Sequence, residues 1–349
     1  MKTRFFAVAA IAVMLLGIGI FAEPDSKSNA KGLQSSRLIG LLPASDAVAV
    51  FDSKRFLNDA LPKVLSSNQP MMAQIMRKLS EMEQRTGIDL RKFEQVAVGV
   101  RIKQIADKKY GFEPVAIASG DVNAGALIAV AKIAAGGGYR EEKIGAKTVY
   151  VFAAKDILKN APVKPTNSKI GKIVDHAANA LMKEVAVTAL DGNTLAMGSL
   201  PRLREAVEGK SRVGSDITGL LSANGTSVMT FSAKSPGGLS RFLPIENDEL
   251  GKNIDSIEYL AGSMDVAATG ASVQMLARTK QPEQATGLKD TLEGLQMLGK
   301  AVLGNSKRAD QQVYGRMVRN LKVGIRGSDL TLDLAVPQSD IDILISEIK

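Results

Sequence analysis

The sequence contains no cysteine and no tryptophan, and it has a single histidine, His176. Without cysteine the protein cannot form disulfides, thiolate metal sites, a cysteine nucleophile or a lipid anchor on an N-terminal cysteine. A metal site built from several histidine or cysteine ligands is excluded as well. Because aromatic residues make up only 4% of the chain, the core has to be built from aliphatic side chains and methionine.

The common catalytic motifs are also missing. A Ser-His-Asp triad would have to use His176, which we interpret as an ordinary surface residue beside the apolar stripe of a helix. Gly209-Lys210-Ser211 is not the end of a phosphate-binding loop, because Arg204 stands where that loop needs a glycine. The sequence therefore predicts no enzyme active site, no cofactor and no metal site. A hydrolase whose carboxylate or serine site is assembled only in the fold stays as the less favoured alternative.

The first 22 residues are typical of an export signal. Lys2 and Arg4 precede an uncharged apolar run over residues 5–22, and a polar stretch follows. The run is long for a cleaved signal and just long enough to span a bilayer. We predict that residues 1–22 are a signal peptide or, if they are not cleaved, a membrane anchor, and that 23–39 form a polar linker. The rest of the chain would then be exported, either periplasmic or anchored facing outside the cytoplasm.

The formal net charge is +9, and basic residues are densest between residues 300 and 326. Seven cations stand there against the single acid Asp310: Lys300, Lys307, Arg308, Arg316, Arg319, Lys322 and Arg326. We interpret this stretch as a solvated helix face, with contact to an anionic lipid or polymer as the alternative. Nucleic acid is not expected as a partner, because aromatic residues are not interleaved with the basic ones.

One unit of local structure is written twice in the chain. Its first copy is "VAVTALDGNTLAMGSLPRLREAVEG", residues 185–209. Alternating apolar residues flank Asp191 and Gly192, which predicts a hairpin with a two-residue turn. A short helix should follow, with Ser199 as its cap, Pro201 in its first turn and a glycine at its end.

The second copy is "LKVGIRGSDLTLDLAVPQSDIDILISEIK", residues 321–349. Its turn glycine, Gly327, lies 135 positions after Gly192, and Pro337, which opens its helix, lies 136 positions after Pro201. The nearly constant offset favours a true repeat over a chance likeness of two hairpins.

A second pair of matching stretches comes earlier in each half. Residues 41–54, "LLPASDAVAVFDSK", are similar to residues 220–234, "LLSANGTSVMTFSAK". Between these markers the apolar patterns give the element order β-α-β-β-α-β-β-α in both halves. The first half carries, in addition, a predicted hairpin at 139–154 and a predicted helix around 169–183.

We therefore predict an α+β fold of two tandem pseudo-repeats of β-α-β-β-α-β-β-α. The sheets would be mixed or antiparallel, with helices packed on one face. The first repeat would span residues 40–215, including the extra hairpin and helix, and the second repeat would span residues 216–349.

Three stretches carry a resemblance to a known kind of protein: "LLPASDAVAVFDS", "TGIDLRKFEQVAVGVR" and "DGNTLAMGSLPRLREAVEG". They resemble uncharacterised exported bacterial proteins of the domain-of-unknown-function type, in which a signal segment precedes similar strands and a similar hairpin and helix. The likeness covers most of residues 40–349. It implies a location in the cell envelope and carries over no functional residue.

One helix has a methionine-rich face. In "NQPMMAQIMRKLSEMEQR", helical spacing places five apolar residues on one side: Met72, Ile75, Met76, Leu79 and Met82. Such faces adapt to varied apolar ligands, although a buried core face is the more ordinary interpretation.

The sequence favours a non-catalytic exported protein of the cell envelope that acts by binding or scaffolding. Its partner would be an envelope protein, a lipid or a polymer. The alternative is a periplasmic carrier of an apolar ligand, held between the sheet and the Met72–Met82 helix.

Overall fold

Strands and helices alternate along the chain in two units. The computed structural model describes residues 37–347, except 87–88, 107–108, 154–183, 222–226, 239, 241–247 and 304–305. Unit 1 comprises the described residues of Ala30–Lys54 and Ala73–Ser215, and unit 2 comprises those of Arg55–Met72 and Asp216–Lys349. The predicted signal, the helix predicted around 169–183 and His176 lie outside the described residues.

Unit 1 contains an antiparallel sheet. Its strands are β1 (Ala47–Asp52), β2 (Phe93–Ala106), β3 (Lys109–Gly120), β4 (Tyr139–Ile144), β5 (Lys147–Ala153), β6 (Glu184–Ala189) and β7 (Thr194–Gly198). They pair in the order β1-β2-β3-β7-β6-β5-β4. The hairpin predicted at 139–154 is confirmed as β4 and β5, whose pairing ends at Ile144 and Lys147.

Three longer helices accompany these strands. They are α1 (Gln69–Thr86), which begins within unit 2, α2 (Ala124–Ala134) and α3 (Leu200–Glu208). A helical stretch over 37–41 and a 3-10 helix at Leu90–Lys92 are shorter.

Unit 2 also contains an antiparallel sheet. Its strands are β8 (Met229–Lys234), β9 (Ile257–Ala267), β10 (Gly270–Thr279), β11 (Lys322–Arg326) and β12 (Asp329–Pro337), and they pair antiparallel in the order β11-β12-β10-β9-β8. Its helices are α4 (Ser215–Leu221), α5 (Asp248–Asp255), α6 (Pro282–Leu303), α7 (Ala309–Asn320) and α8 (Gln338–Ser346). Short helical stretches at Ser53–Arg55, Phe56–Ala60 and Leu61–Val64 follow β1.

The predicted α+β class is confirmed, and every strand pairing described within a unit is antiparallel. Read by itself, unit 1 has the strand order β1-β2-β3-β7-β6 before its extra hairpin, and unit 2 has the strand order β8-β9-β10-β12-β11. In both units one helix or more precedes the second strand, follows the third strand and follows the last one.

The two hairpins that carry the repeated sequence turn differently. Between β11 and β12, Arg326 pairs with Asp329, so Gly327 and Ser328 form a two-residue turn, and Gly327 has a φ of +61°. Between β6 and β7 the two-residue turn predicted at Asp191 and Gly192 is wrong, because the loop is longer and Gly192 does not adopt a left-handed conformation. The Asp191 carboxylate accepts from the Asn193 N–H at 2.9 Å instead, which closes a local side-chain turn.

The ends of two unit 1 helices follow the sequence closely, apart from one cap. After α2, the Gly136 N–H donates to Ile133 and the Gly137 N–H donates to Lys132, which is the Schellman arrangement that two left-handed glycines allow. Ser199 occupies the N-cap position of α3, but its hydroxyl makes no capping bond. Pro201 stands at the second helical position, so one of the two N–H groups that can bond to such a hydroxyl is absent.

Each unit has its own apolar core. In unit 1, Ile128 of α2 packs in a cluster with Phe152 of β5 and Val187 of β6. In unit 2, Leu288 of α6 packs with Leu330 and other buried residues of the sheet. The unit 2 cluster is wholly aliphatic, whereas Phe152 and the adjacent Tyr139 and Tyr150 join the aliphatic side chains in unit 1.

Candidate functional site

Large apolar side chains are exposed together at one place in the described residues, the C-terminal half of α6. The exposed fractions of Leu295, Met297, Leu298 and Val302 are 47%, 70%, 64% and 76%, and Ala301 is exposed as well. On a helix with ~3.6 residues per turn these five residues occupy less than half of the circumference. We call them the apolar outer face of α6.

Other exposed large apolar residues in the described chain occur one to an element. They are Leu90, Ile105, Ile133, Met197, Tyr314 and Ile325. Single exposed apolar residues are ordinary in folded proteins, whereas a contiguous group marks a surface that contacts something else.

The opposite face of α6 is covered by its own unit. Ala285 and Leu288 are buried, and Leu288 joins the core cluster against which Leu292 also packs. The spacing of three and four residues continues this inner face down the helix. The core of unit 2 therefore does not need the outer face.

Helix α7 covers the inner face of α6 towards its C-terminal end. A Cβ atom at Gly299 would lie 3.2 Å from Cγ1 of Val318, and one at Gly315 would lie 3.4 Å from Cβ of Leu303. The side-chain amide of Gln296 donates to the Val318 carbonyl at 2.6 Å. These contacts fix α6 and α7 as a close antiparallel pair and leave the outer face on the other side.

Unpaired cations accompany this helix pair. Arg308 is bound to Asp310 at 2.7 Å, and its hydrogen bond holds the pKa of that carboxyl below the ordinary value. Arg316 is bound to Asp340 at 2.6 Å. The remaining cations of the basic stretch are exposed and make no ion pair among the described residues: Lys300, Lys307, Arg319, Lys322 and Arg326.

The methionine-rich face predicted from the sequence lies on α1. Met72, Ile75, Met76 and Leu79 are all half-buried, so they form neither a fully buried core face nor an open one. The side chain of Met82 lies outside the described residues. Its role as a ligand-binding face stays a prediction.

Unit 1 contains a small cleft of about 310 Å³ between α2 and the strands β5 and β6. Its lining includes Ile128, Ala129, Lys132, Lys147, Thr148, Tyr150 and Thr188. The Lys147 ammonium donates to the Leu190 carbonyl at 2.7 Å, and the Thr188 hydroxyl donates to the Thr148 carbonyl at 2.8 Å. The volume is at the lower end of the range for small-molecule sites, ~300–1,000 Å³.

Lys132 is held at one side of this cleft. Its ammonium lies 4.0 Å from the ring centre of Tyr150 and 3.1 Å from the Glu141 carboxylate. Burial opposes the charge, but Glu141 and the tyrosines outweigh it and raise the pKa of Lys132. The cleft therefore combines a mixed aliphatic and polar lining with a fixed cation.

A buried arginine, Arg202 of α3, forms a separate cluster in unit 1. Its guanidinium donates to the Glu205 carboxylate and, at 2.7 Å, to Oγ of Ser45. Arg101 of β2 donates twice to the same carboxylate, at 2.6 Å each. Burial opposes ionisation of Glu205, but the two arginines outweigh it and hold the pKa of Glu205 below its ordinary value. We interpret this cluster as structural, because one carboxylate serves both arginines.

The described residues contain no group of three or more histidine, aspartate and glutamate side chains that could hold a metal ion. No helix within the same ranges has the length and apolar character needed to cross a membrane.

No family model matches the sequence, and no curated protein matches it. The chain is similar to solved structures of TP0453. For its crystal form III the TM-score is 0.42 at 11% identity, covering 89% of this chain and 98% of that one. For crystal form IV the TM-score is 0.41 at 13% identity, covering 92% and 100%. Similarity at this level supports no conclusion about function.

Proposed function

We propose that this protein is a non-catalytic, exported component of the cell envelope that acts by binding a partner. The observation that carries the proposal is the apolar outer face of α6. Water contact with Met297, Leu298 and Val302 is unfavourable and serves no packing purpose within unit 2. A partner that covered these side chains would recover that free energy on binding.

We propose further that the two units arose by duplication of one α+β unit. The corresponding strand orders and the matched positions of Gly192 with Gly327 and Pro201 with Pro337 support this. On this view the β4–β5 hairpin is an addition to the first copy, and the α6–α7 pair is an elaboration of the helix that corresponds to α2. Each copy would then carry its own surface feature, a cleft in unit 1 and the apolar outer face in unit 2.

Export and an envelope location belong to the same proposal. Their support is the basic flank, apolar run and polar exit of residues 1–36, together with the resemblance to exported proteins of the domain-of-unknown-function type.

Site-specific photo-crosslinking in the producing cell tests the binding function. A photoreactive amino acid replaces Leu298 in one variant, and it replaces Ile133, an equally exposed residue of α2, in the control. We expect an adduct at position 298 and none at position 133. Equal yields of adduct at both positions, or no adduct to either protein or lipid at position 298, would show that the outer face is not a binding surface.

A second candidate function is binding of a small ligand in the unit 1 cleft, favoured by the position of Lys132 beside Ile128 and Ala129 in its lining. A ligand with an acidic group and a short apolar part would suit this lining. Native mass spectrometry of the purified chain would detect such a ligand. Ala129→Trp should remove it by filling the cleft, and Ile133→Trp on the exposed side of α2 should not.

A further inference from the structure

We infer that the apolar outer face of α6 docks on an anionic lipid bilayer, because exposed apolar side chains and unpaired cations meet on one helix pair. This inference rests on the proposed binding function and names the partner. Helix α6 is not long and apolar enough to cross a membrane, so the docked α6–α7 pair would lie on the bilayer surface.

The outer side of α6 changes character halfway along the helix. The exposed residues of its N-terminal half include Glu283, Thr286 and Asp290, whereas the exposed residues of its C-terminal half are apolar or glycine apart from Lys300. The apolar part is about 12 Å long at ~1.5 Å per residue. Interfacial helices bury an apolar face ~5–10 Å into the boundary between headgroups and acyl chains. The end of α6 therefore suits shallow insertion.

The cations lie on the same helix pair. Lys300 is exposed and borders the outer face, about 60° from Met297 around the helix, and Arg319 is an exposed residue of α7, the helix that covers the inner face. Lys307 lies just after the end of α6. The single acid of this stretch is already bound by an arginine, so the cations are not neutralised there.

Charge decides between a bilayer and a second copy of the chain. Two copies meeting through their outer faces would bring together the Lys300 side chains at the edge of those faces, and like charges oppose such contact. An anionic lipid surface complements the same cations and accepts the apolar side chains in one step. The lipid surface is therefore the partner that satisfies both features.

The absence of cysteine makes a direct test simple. Leu298→Cys and, as control, Ile133→Cys are each labelled in the full chain with an environment-sensitive fluorophore. They are mixed with vesicles of phosphatidylglycerol or of phosphatidylcholine. We expect a blue shift and quenching by lipid-borne quenchers at position 298 with phosphatidylglycerol only. We expect no change at position 133. The label reports the position of α6, so insertion of residues 5–22 cannot mimic this result.

A charge variant tests the second half of the inference. Lys300→Gln, Lys307→Gln and Arg319→Gln together should raise the lipid concentration at half-maximal shift by at least tenfold, since each cation near an anionic surface is worth about fivefold. Shifts that are equal with both lipids, or unaffected by this variant, would overturn the role of charge. No shift with either lipid would overturn docking on lipid altogether.

Two further outcomes separate this inference from the binding function on which it rests. A shift that grows with protein concentration in the absence of vesicles would identify a second copy as the partner and overturn the lipid. A protein adduct at position 298 in cells, without a vesicle response, would keep the binding function and overturn the lipid. Neither adduct nor vesicle response would overturn both.

Discussion

At the scale of single residues, the strongest constraint in unit 1 is the buried charge of Arg202. Glu205→Ala removes the carboxylate that pairs with this buried guanidinium. We therefore expect a loss of about 2–4 kcal/mol in the free energy of unfolding. Replacing both by Arg202→Met and Glu205→Leu should recover part of that loss, because it removes the buried guanidinium together with its partner, while Arg101 still loses the Glu205 carboxylate. Urea unfolding of the three proteins checks this.

A matched control is the exposed pair of Arg140 and Glu184, which is also joined by two hydrogen bonds. Glu184→Ala should change the unfolding midpoint very little, because solvent screens an exposed pair. A loss at Glu184 equal to that at Glu205 would show that burial does not set the difference.

The same carboxylate gives a pH dependence with a definite sign. Because the folded-state pKa of Glu205 is lowered, its contribution to stability is present above the ordinary glutamate value of ~4.3 and is lost as pH falls below it. We expect the stability advantage of the natural chain over Glu205→Gln to be constant near neutral pH and to shrink below about pH 4.3. Unfolding curves between pH 6 and pH 3 measure this; an advantage that grows on acidification would contradict it.

At the scale of elements, the contact of α6 with α7 predicts opposite effects for two glycines in one helix. Gly294 is exposed and has open space around it, so Gly294→Ala should stabilise the protein by about 0.5–1 kcal/mol through helix propensity. Gly299→Val should destabilise it, because the new side chain meets Val318 and forces the helices apart. Thermal unfolding of both variants checks the prediction, and the same sign for both would refute the close approach.

Local sequence signals predicted the elements well and the contacts less well. The glycines after α2 and the hairpin of β4 and β5 follow from backbone chemistry within a few residues. The longer loop at Gly192 and the missing capping bond of Ser199 could not be predicted in this way, because neighbouring residues determine them. The Asp191 carboxylate accepts a hydrogen bond from Asn193, and Pro201 removes a donor. The exposed face of α6 was missed for a similar reason. Apolar residues on both sides of a helix are visible in "GLQMLGKAVL", but periodicity cannot say which side is covered.

At the scale of the whole molecule, a single cut after residue 215 does not separate the two units, because unit 2 also contains an earlier segment of the chain. Residues 55–72 belong to unit 2, where Phe56 and Leu61 are buried and Arg55 binds the buried Asp265 at 2.6 Å. We therefore expect residues 216–349 alone not to fold cooperatively, because this segment is missing. Supplying residues 55–72 through a linker should restore a cooperative transition by circular dichroism. Cooperative unfolding of 216–349 by itself would contradict this assignment.

The central claim is that the outer face of α6 is a surface kept for a partner and has no role in the fold. The most direct test is the urea unfolding of a variant carrying Met297→Gln, Leu298→Gln and Val302→Gln. We expect an unfolding free energy equal to or above that of the natural chain, because these side chains are already in water. A loss of more than about 1 kcal/mol would show that the protein itself covers this face, and the claim would be wrong.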